Sequence, residues 1–96
     1  MDTSSFLAIV EETVAERAKD YGEPVENFNR VAAMWSILLD TKITATDVCN
    51  CMIALKLCRL NENDNDDTYI DIAGYSSLAY DMKMEEVLRM GEPYVD

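Results

Sequence analysis

The sequence predicts an all-α fold: a four-helix bundle-like single domain, assembled as a homo-oligomer. Three observations carry this. Gly and Pro are scarce, at three and two copies in 96 residues, so little interrupts regular structure. Val, Ile and Thr do not cluster in the alternating runs that mark strands. Apolar residues instead recur at helical spacing between short polar stops. The length fits one small domain over 1–96, with helices at about 4–20, 24–39, 45–60 and 67–90. A core of that size gives marginal stability unless the chain associates.

The first helix takes Ser4 or Ser5 as its cap and carries one apolar stripe, Phe6, Ile9, Val10, Thr13 and Val14. Gly22 stops it, and Pro24 opens the second helix at its first turn. The apolar face there is Phe28, Val31, Ala32, Trp35, Leu38 and Leu39. Thr44 to Asp47 reads as a capping box, with Asp in place of the usual Glu or Gln. The third helix is apolar nearly all round. Val48, Met52 and Leu55 mark one side, and Cys49, Ile53, Leu57 and Leu60 another. A helix apolar on every face is buried on every face, so this one is expected to be both central and a subunit interface.

Residues 61–67 form an acidic run without the Gly and terminal Glu of an EF-hand loop, so they read as a solvated loop ending in an Asp cap. The fourth helix is expected to bury Ile70, Ala73, Ser77, Tyr80, Met84, Val87 and Leu88. Gly91 and Pro93 end it, and the tail 92–96 is loose or packed on a partner.

The net charge is −11, from nineteen acids against eight basic residues. That sign repels a nucleic-acid backbone and an anionic membrane surface, so neither is an expected partner. No apolar stretch approaches spanning length, and the short run Phe6–Val10 lacks the basic flank of a signal peptide. The expected location is the cytoplasm. Cys49, Cys51 and Cys58 lack zinc-ligand spacing and read as reduced thiols. With no His, the commonest general base and metal ligand is missing, and no cofactor is expected to be required.

Two polar runs fit poorly with simple helix packing. One is Asp20-Tyr21-Gly22-Glu23-Pro24, closely followed by Asn27-Phe28; the other spans Asp67 to Tyr75. Lys56 and Arg59 lie between them, three apart on the apolar third helix, where their heads can converge on one anion. The plainer reading pairs them with acids, and Asp67 and Asp71 are the obvious partners. Gly74 costs roughly 1 kcal/mol in a helix interior, which points to close approach by another helix or by a ligand. Tyr75 and Tyr21 can stack on a base or hydrogen-bond. Asn27 sits by the free N–H groups that open the second helix, a weak anion site. Arg17 and Lys19 can add charge there or only complement the first helix's C-terminal dipole. The candidate ligand-binding set is therefore Arg17, Lys19, Tyr21, Asn27, Lys56, Arg59, Asp67, Asp71 and Tyr75. Glu12 and Glu16, four apart, read more simply as a solvated face; with Asp67 and Asp71 they would form a Mg²⁺ set.

These residues resemble a family of small phage- and prophage-encoded proteins of unknown function. The resemblance rests on Lys19-Asp20-Tyr21-Gly22-Glu23-Pro24, Asn27-Phe28, Trp35-Ser36, Asp47-Val48, Lys56 with Arg59, and Asp71-Ile72-Ala73-Gly74-Tyr75. More distantly the pattern is similar to phage nucleotide-modification-associated domains and to MazG-like nucleotide pyrophosphohydrolases. Those enzymes hold Mg²⁺ with paired acids on neighbouring helices. Here the acid pairs are spaced by four and separated by two helices, and the helix between supplies cations instead. The resemblance therefore implies nucleotide binding more than hydrolysis. Three functions follow as expectations. The first is a phage protein that sequesters a nucleotide-derived host defence signal without turnover, self-associating through the third helix. The second is a Mg²⁺-dependent nucleotide pyrophosphohydrolase. The third is an acidic inhibitor of a host protein.

Overall fold

Signals at the helix ends set each element. In the computed structural model, which describes residues 1–60 and 66–89, α1 is Thr3–Tyr21, α2 Pro24–Leu39, α3 Ala45–Arg59 and α4 Asp66–Arg89. The acidic run over 61–65, the Gly91 and Pro93 stop and the tail 92–96 lie outside the described residues.

The cap of α1 is Asp2 rather than Ser4 or Ser5. Its Oδ1 accepts from the Ser5 N–H at 2.8 Å, and this bond holds the carboxyl below its ordinary pKa. Gly22 ends α1 with φ 87, a left-handed conformation that a residue without Cβ adopts freely, and its N–H reaches the Ala18 carbonyl at 3.0 Å. Pro24 opens α2 as expected. Asp40 closes it at φ 49. Ser36 Oγ then accepts from the Ile43 N–H at 2.9 Å and donates to the Ala32 carbonyl at 2.7 Å, tying the α2–α3 turn back onto α2. The capping box of α3 is complete. The Thr44 N–H donates to Asp47 Oδ2 at 2.9 Å, and the Asp47 N–H donates to Thr44 Oγ1 at 3.1 Å.

The main seam of the bundle is α3 against α4. On either side of it α2 packs on α3 and α1 on α4, while α1 and α2 barely touch. The round α1–α4–α3–α2 is therefore left open between α1 and α2. The apolar core is small: Val10, Ala32, Val48, Cys49, Ile70 and Met82 are the buried apolar residues among those described. Val48 and Cys49 are sealed, at 1% and 0% exposure. Burial pushes the Cys49 thiol up to about 11, because desolvation disfavours the thiolate.

The expected faces need correction: Ile9 of α1 and Leu38 and Leu39 of α2 are exposed, and α3 and α4 differ further. The third helix is not buried all round: Val48 and Cys49 face inward, but Cys51, Ala54, Leu55, Leu57 and Cys58 are exposed. Its neighbours α2 and α4 cover only part of its circumference. On α4, Ser77, Tyr80 and Leu88 point outward. The buried side of α4 runs through Thr68, Ile70, Gly74 and Met82, with Asp71, Tyr75 and Leu78 half-buried beside it, so of the expected stripe Ile70 is inward. Among the described residues no helix is long and apolar enough to cross a membrane.

Candidate functional site

The open seam between α1 and α2 is a cleft of about 660 Å³, a volume ordinary for a small-molecule site. All four helices contribute. Phe28, Val31 and Trp35 from α2, Val48 and Met52 from α3, and Ile70 from α4 make it largely apolar. Glu16, Arg17, Asp20 and Tyr21 of α1 and Asn27 of α2 supply a polar edge. Asp71, Gly74 and Tyr75 bring α4 to the same space.

Its electrostatic centre is Asp71. The carboxylate is only 10% exposed, and each oxygen has its own cation. Arg17 Nη2 of α1 donates to Oδ1 at 3.0 Å, and Lys56 Nζ of α3 lies 2.9 Å from Oδ2. This explains why a charged residue occupies the inward face of α4: an inward carboxylate is tolerated when ion-paired and hydrogen-bonded. The bridge ties three helices together. Lys56 is 17% exposed and sits behind the carboxylate, whereas Arg17 is 51% exposed and lines the cleft.

Gly74 marks the close approach of α1 to α4. A Cβ built there would lie 3.4 Å from Val14 Cγ2, an ordinary contact that fills the remaining space. Tyr75 meets Phe28 edge to face, with ring centroids 6.1 Å apart and planes at 74°. The pair bridges α4 and α2 across the cleft.

The sequence-derived set is thus brought together in part. Arg17, Tyr21, Asn27, Asp71 and Tyr75 line the cleft, with Tyr21 largely exposed at its edge. Lys56 reaches it only through Asp71. Lys19, Arg59 and Asp67 are exposed, do not line it, and make no ion pair among the described residues. Lys56 and Arg59 do not converge on one site; only Lys56 turns inward to a carboxylate. The opening of α2 is not a free anion site either. Glu23 caps it with its own carboxylate, accepting from the Val25 N–H at 3.2 Å and the Glu26 N–H at 3.0 Å. Of the Mg²⁺ set, Glu16 and Asp71 line the cleft, while Glu12 and Asp67 do not. Among the described residues no three His, Cys, Asp or Glu side chains gather as a metal cage.

Sequence reasoning missed Phe28 and Trp35 as site residues, assigning both to the core. Their face was correct, but nothing local shows that the helix opposite stands off. The Arg17–Asp71 pair was also missed, since the two lie 54 positions apart.

The comparisons with known proteins agree with the nearer resemblance, to small phage proteins of unknown function, and show no similarity to MazG-like enzymes. Residues 5–83 match the family described as Domain of unknown function (DUF6378). The Gene 55 protein of Mycobacterium phage L5 is 39% identical over 85 residues, covering 85% of this chain and 54% of that protein. The Gene 55 protein of Mycobacterium phage D29 is 38% identical over 79 residues, covering 81% and 51%. The chain spans about half the length of these curated relatives. No solved structure matches it. The family match runs through most of the chain and through every residue of the Asp71 bridge, so this protein belongs to the DUF6378 family, whose relatives include phage proteins.

Proposed function

We propose that this protein binds a nucleotide-derived small molecule in the α1–α2 cleft and holds it without hydrolysis. The observation that carries the reading is the cleft itself. It combines an apolar bed containing Phe28 and Trp35 with a polar edge at Arg17, Asn27 and Tyr75. An aromatic base fits the first and a phosphate or ribose group the second. Holding rather than cutting is supported by Asp71, whose two oxygens are engaged by Arg17 and Lys56 and so are poor candidates for gripping a metal. In an infected bacterial cytoplasm such a protein would sequester a host nucleotide signal, and the phage relatives support that setting. Self-association through α3 belongs to the same reading: its exposed Leu55 and Leu57 offer an apolar surface for a second copy.

The test is small-molecule mass spectrometry on protein purified from cells with active nucleotide-signalling defence, followed by heat release. An intact nucleotide-like ligand, lost in Trp35→Ala, supports the reading. Steady release of pyrophosphate or monophosphate with Mg²⁺ would replace it with the pyrophosphohydrolase. A host protein co-purifying without any ligand would favour the acidic inhibitor.

A further inference from the structure

We propose that the cleft selects nucleoside-like ligands carrying at most one negative charge, such as a nucleoside or a cyclic mononucleotide, and rejects nucleoside di- and triphosphates. This rests on the nucleotide-binding reading above and narrows it.

The charge inventory of the site carries the inference. Three carboxylates, Glu16, Asp20 and Asp71, line the cleft. Two cations answer them, Arg17 in the lining and Lys56 behind it. The balance is −1 before any ligand arrives. Lys56 does not line the cleft, and its Nζ is paired with Asp71 at 2.9 Å. The cation facing the ligand is Arg17, half exposed, with Nη2 given to Asp71 and the rest of its fork available. One guanidinium edge matches one anionic group.

A second observation points the same way. The N-terminus of α2 borders the cleft through Gly22, Pro24 and Asn27, and its N–H groups would be the natural cradle for further phosphate oxygens. Glu23 already fills that cradle with its carboxylate, at 3.2 and 3.0 Å. A ligand phosphate there would have to displace a chain carboxylate and then sit beside it. The remaining surface does not help, because the whole chain carries −11. Each further negative charge on the ligand is therefore opposed locally and by the field of the chain. The bed of the cleft offers the compensating attraction to a flat apolar ring, through Trp35, Phe28 and Met52.

The experiment is calorimetric titration of the full chain in metal-free buffer at low salt. For each common base, the probes are the nucleoside, its 3′,5′-cyclic monophosphate, and the 5′-mono-, di- and triphosphates. The nucleoside or cyclic monophosphate of at least one base is expected to bind tightest, with affinity falling at least tenfold, about 1.4 kcal/mol, per added charge. The gap is expected to narrow in high salt, because exposed charges are screened. Glu16→Gln with Asp20→Asn, two exposed positions on α1, is expected to raise the affinity for the triphosphate relative to the nucleoside tenfold or more. Arg17→Gln, which removes the one cation in the lining, is expected to weaken the cyclic monophosphate relative to the nucleoside at least tenfold. A triphosphate that binds as tightly as the nucleoside, or an unchanged ratio in the double variant, overturns the charge limit and leaves nucleotide binding standing. No binding by any probe overturns both.

Discussion

The α3–α4 seam is closed and the α1–α2 seam is open, although α1 and α2 are joined by only two residues, Gly22 and Glu23. Short connections usually make neighbours of consecutive helices. What differs is the facing side chains. Between α3 and α4 the charges that meet are matched, Lys56 of α3 pairing with Asp71 of α4 at 2.9 Å. Toward α2, α1 presents Glu16, Arg17 and Asp20. Only Arg17 finds an ion-pair partner among the described residues, and that partner lies on α4. Closing α1 onto α2 would strip water from two carboxylates that have no ion-pair partner among the described residues, a cost that opposes the burial of Phe28 and Trp35. A connection's length thus sets which helices can meet, while side-chain chemistry sets which of them do.

Removing the bridge is the harshest way to break this contrast. Asp71→Ala leaves the Lys56 ammonium partly buried and without its carboxylate, and is expected to lower stability by about 2–3 kcal/mol in urea unfolding. A loss under about 1 kcal/mol would mean that water replaces the carboxylate, and that α4 is held by packing alone.

Truncation on the two sides sharpens it next. Val10→Ala, in the core away from the cleft, is expected to cost about 2 kcal/mol through lost burial and a cavity. Val31→Ala, on the open cleft, is expected to cost less than about 1 kcal/mol, since solvent already reaches that side. Equal costs would show that the cleft closes in solution.

Gly74 tests how tightly α1 rests on α4. Gly74→Ala puts a methyl at ordinary contact distance from Val14 and removes the helix-propensity penalty, so the melting temperature is expected to rise, by up to about 1 kcal/mol of stability. Gly74→Leu has no such room and is expected to lower it.

The smallest effect is chemical. Cys51 and Cys58 are exposed and Cys49 is buried, so a thiol reagent at neutral pH is expected to modify two thiols in the folded protein and all three in denaturant. The folded Cys49 pKa, about 11, lies above the ordinary 9.0. Its contribution to stability is therefore complete below pH 9 and is lost as pH rises from 9 to 11. Cys49→Ala is expected to flatten that part of a stability profile.

Much of the fold was legible because its signals are local. Gly22, Pro24 and the Thr44–Asp47 box each act within a few residues, so the four helix spans were close to the observed ones. The faces were less legible. Periodicity placed Ile70 inward, as observed, but it also placed Ser77, Tyr80 and Leu88 there, which are exposed, and missed Asp71, Gly74 and Leu78. Apolar patterning assumes that charges face water. Asp71 breaks the assumption because two cations from other helices satisfy it. Of the polar runs singled out at Tyr21 to Asn27 and at Asp67 to Tyr75, Tyr21, Asn27, Asp71 and Tyr75 line one cleft, while Asp67 does not. Arg59, Lys19 and Asp67 were included with them because spacing along a helix shows only which residues share a face, not what that face meets.

By itself the sequence determined four helices, the Gly22 stop, the Pro24 start and the Thr44–Asp47 cap, the acidic charge and the residue types gathered around Asp71. Each of these depends on neighbours within a turn or on composition. Tertiary structure alone decided that Arg17 joins Lys56 on one carboxylate and that α1 stands away from α2. Those outcomes depend on which charges find partners when the helices pack, a competition between desolvation and pairing that no single segment can settle.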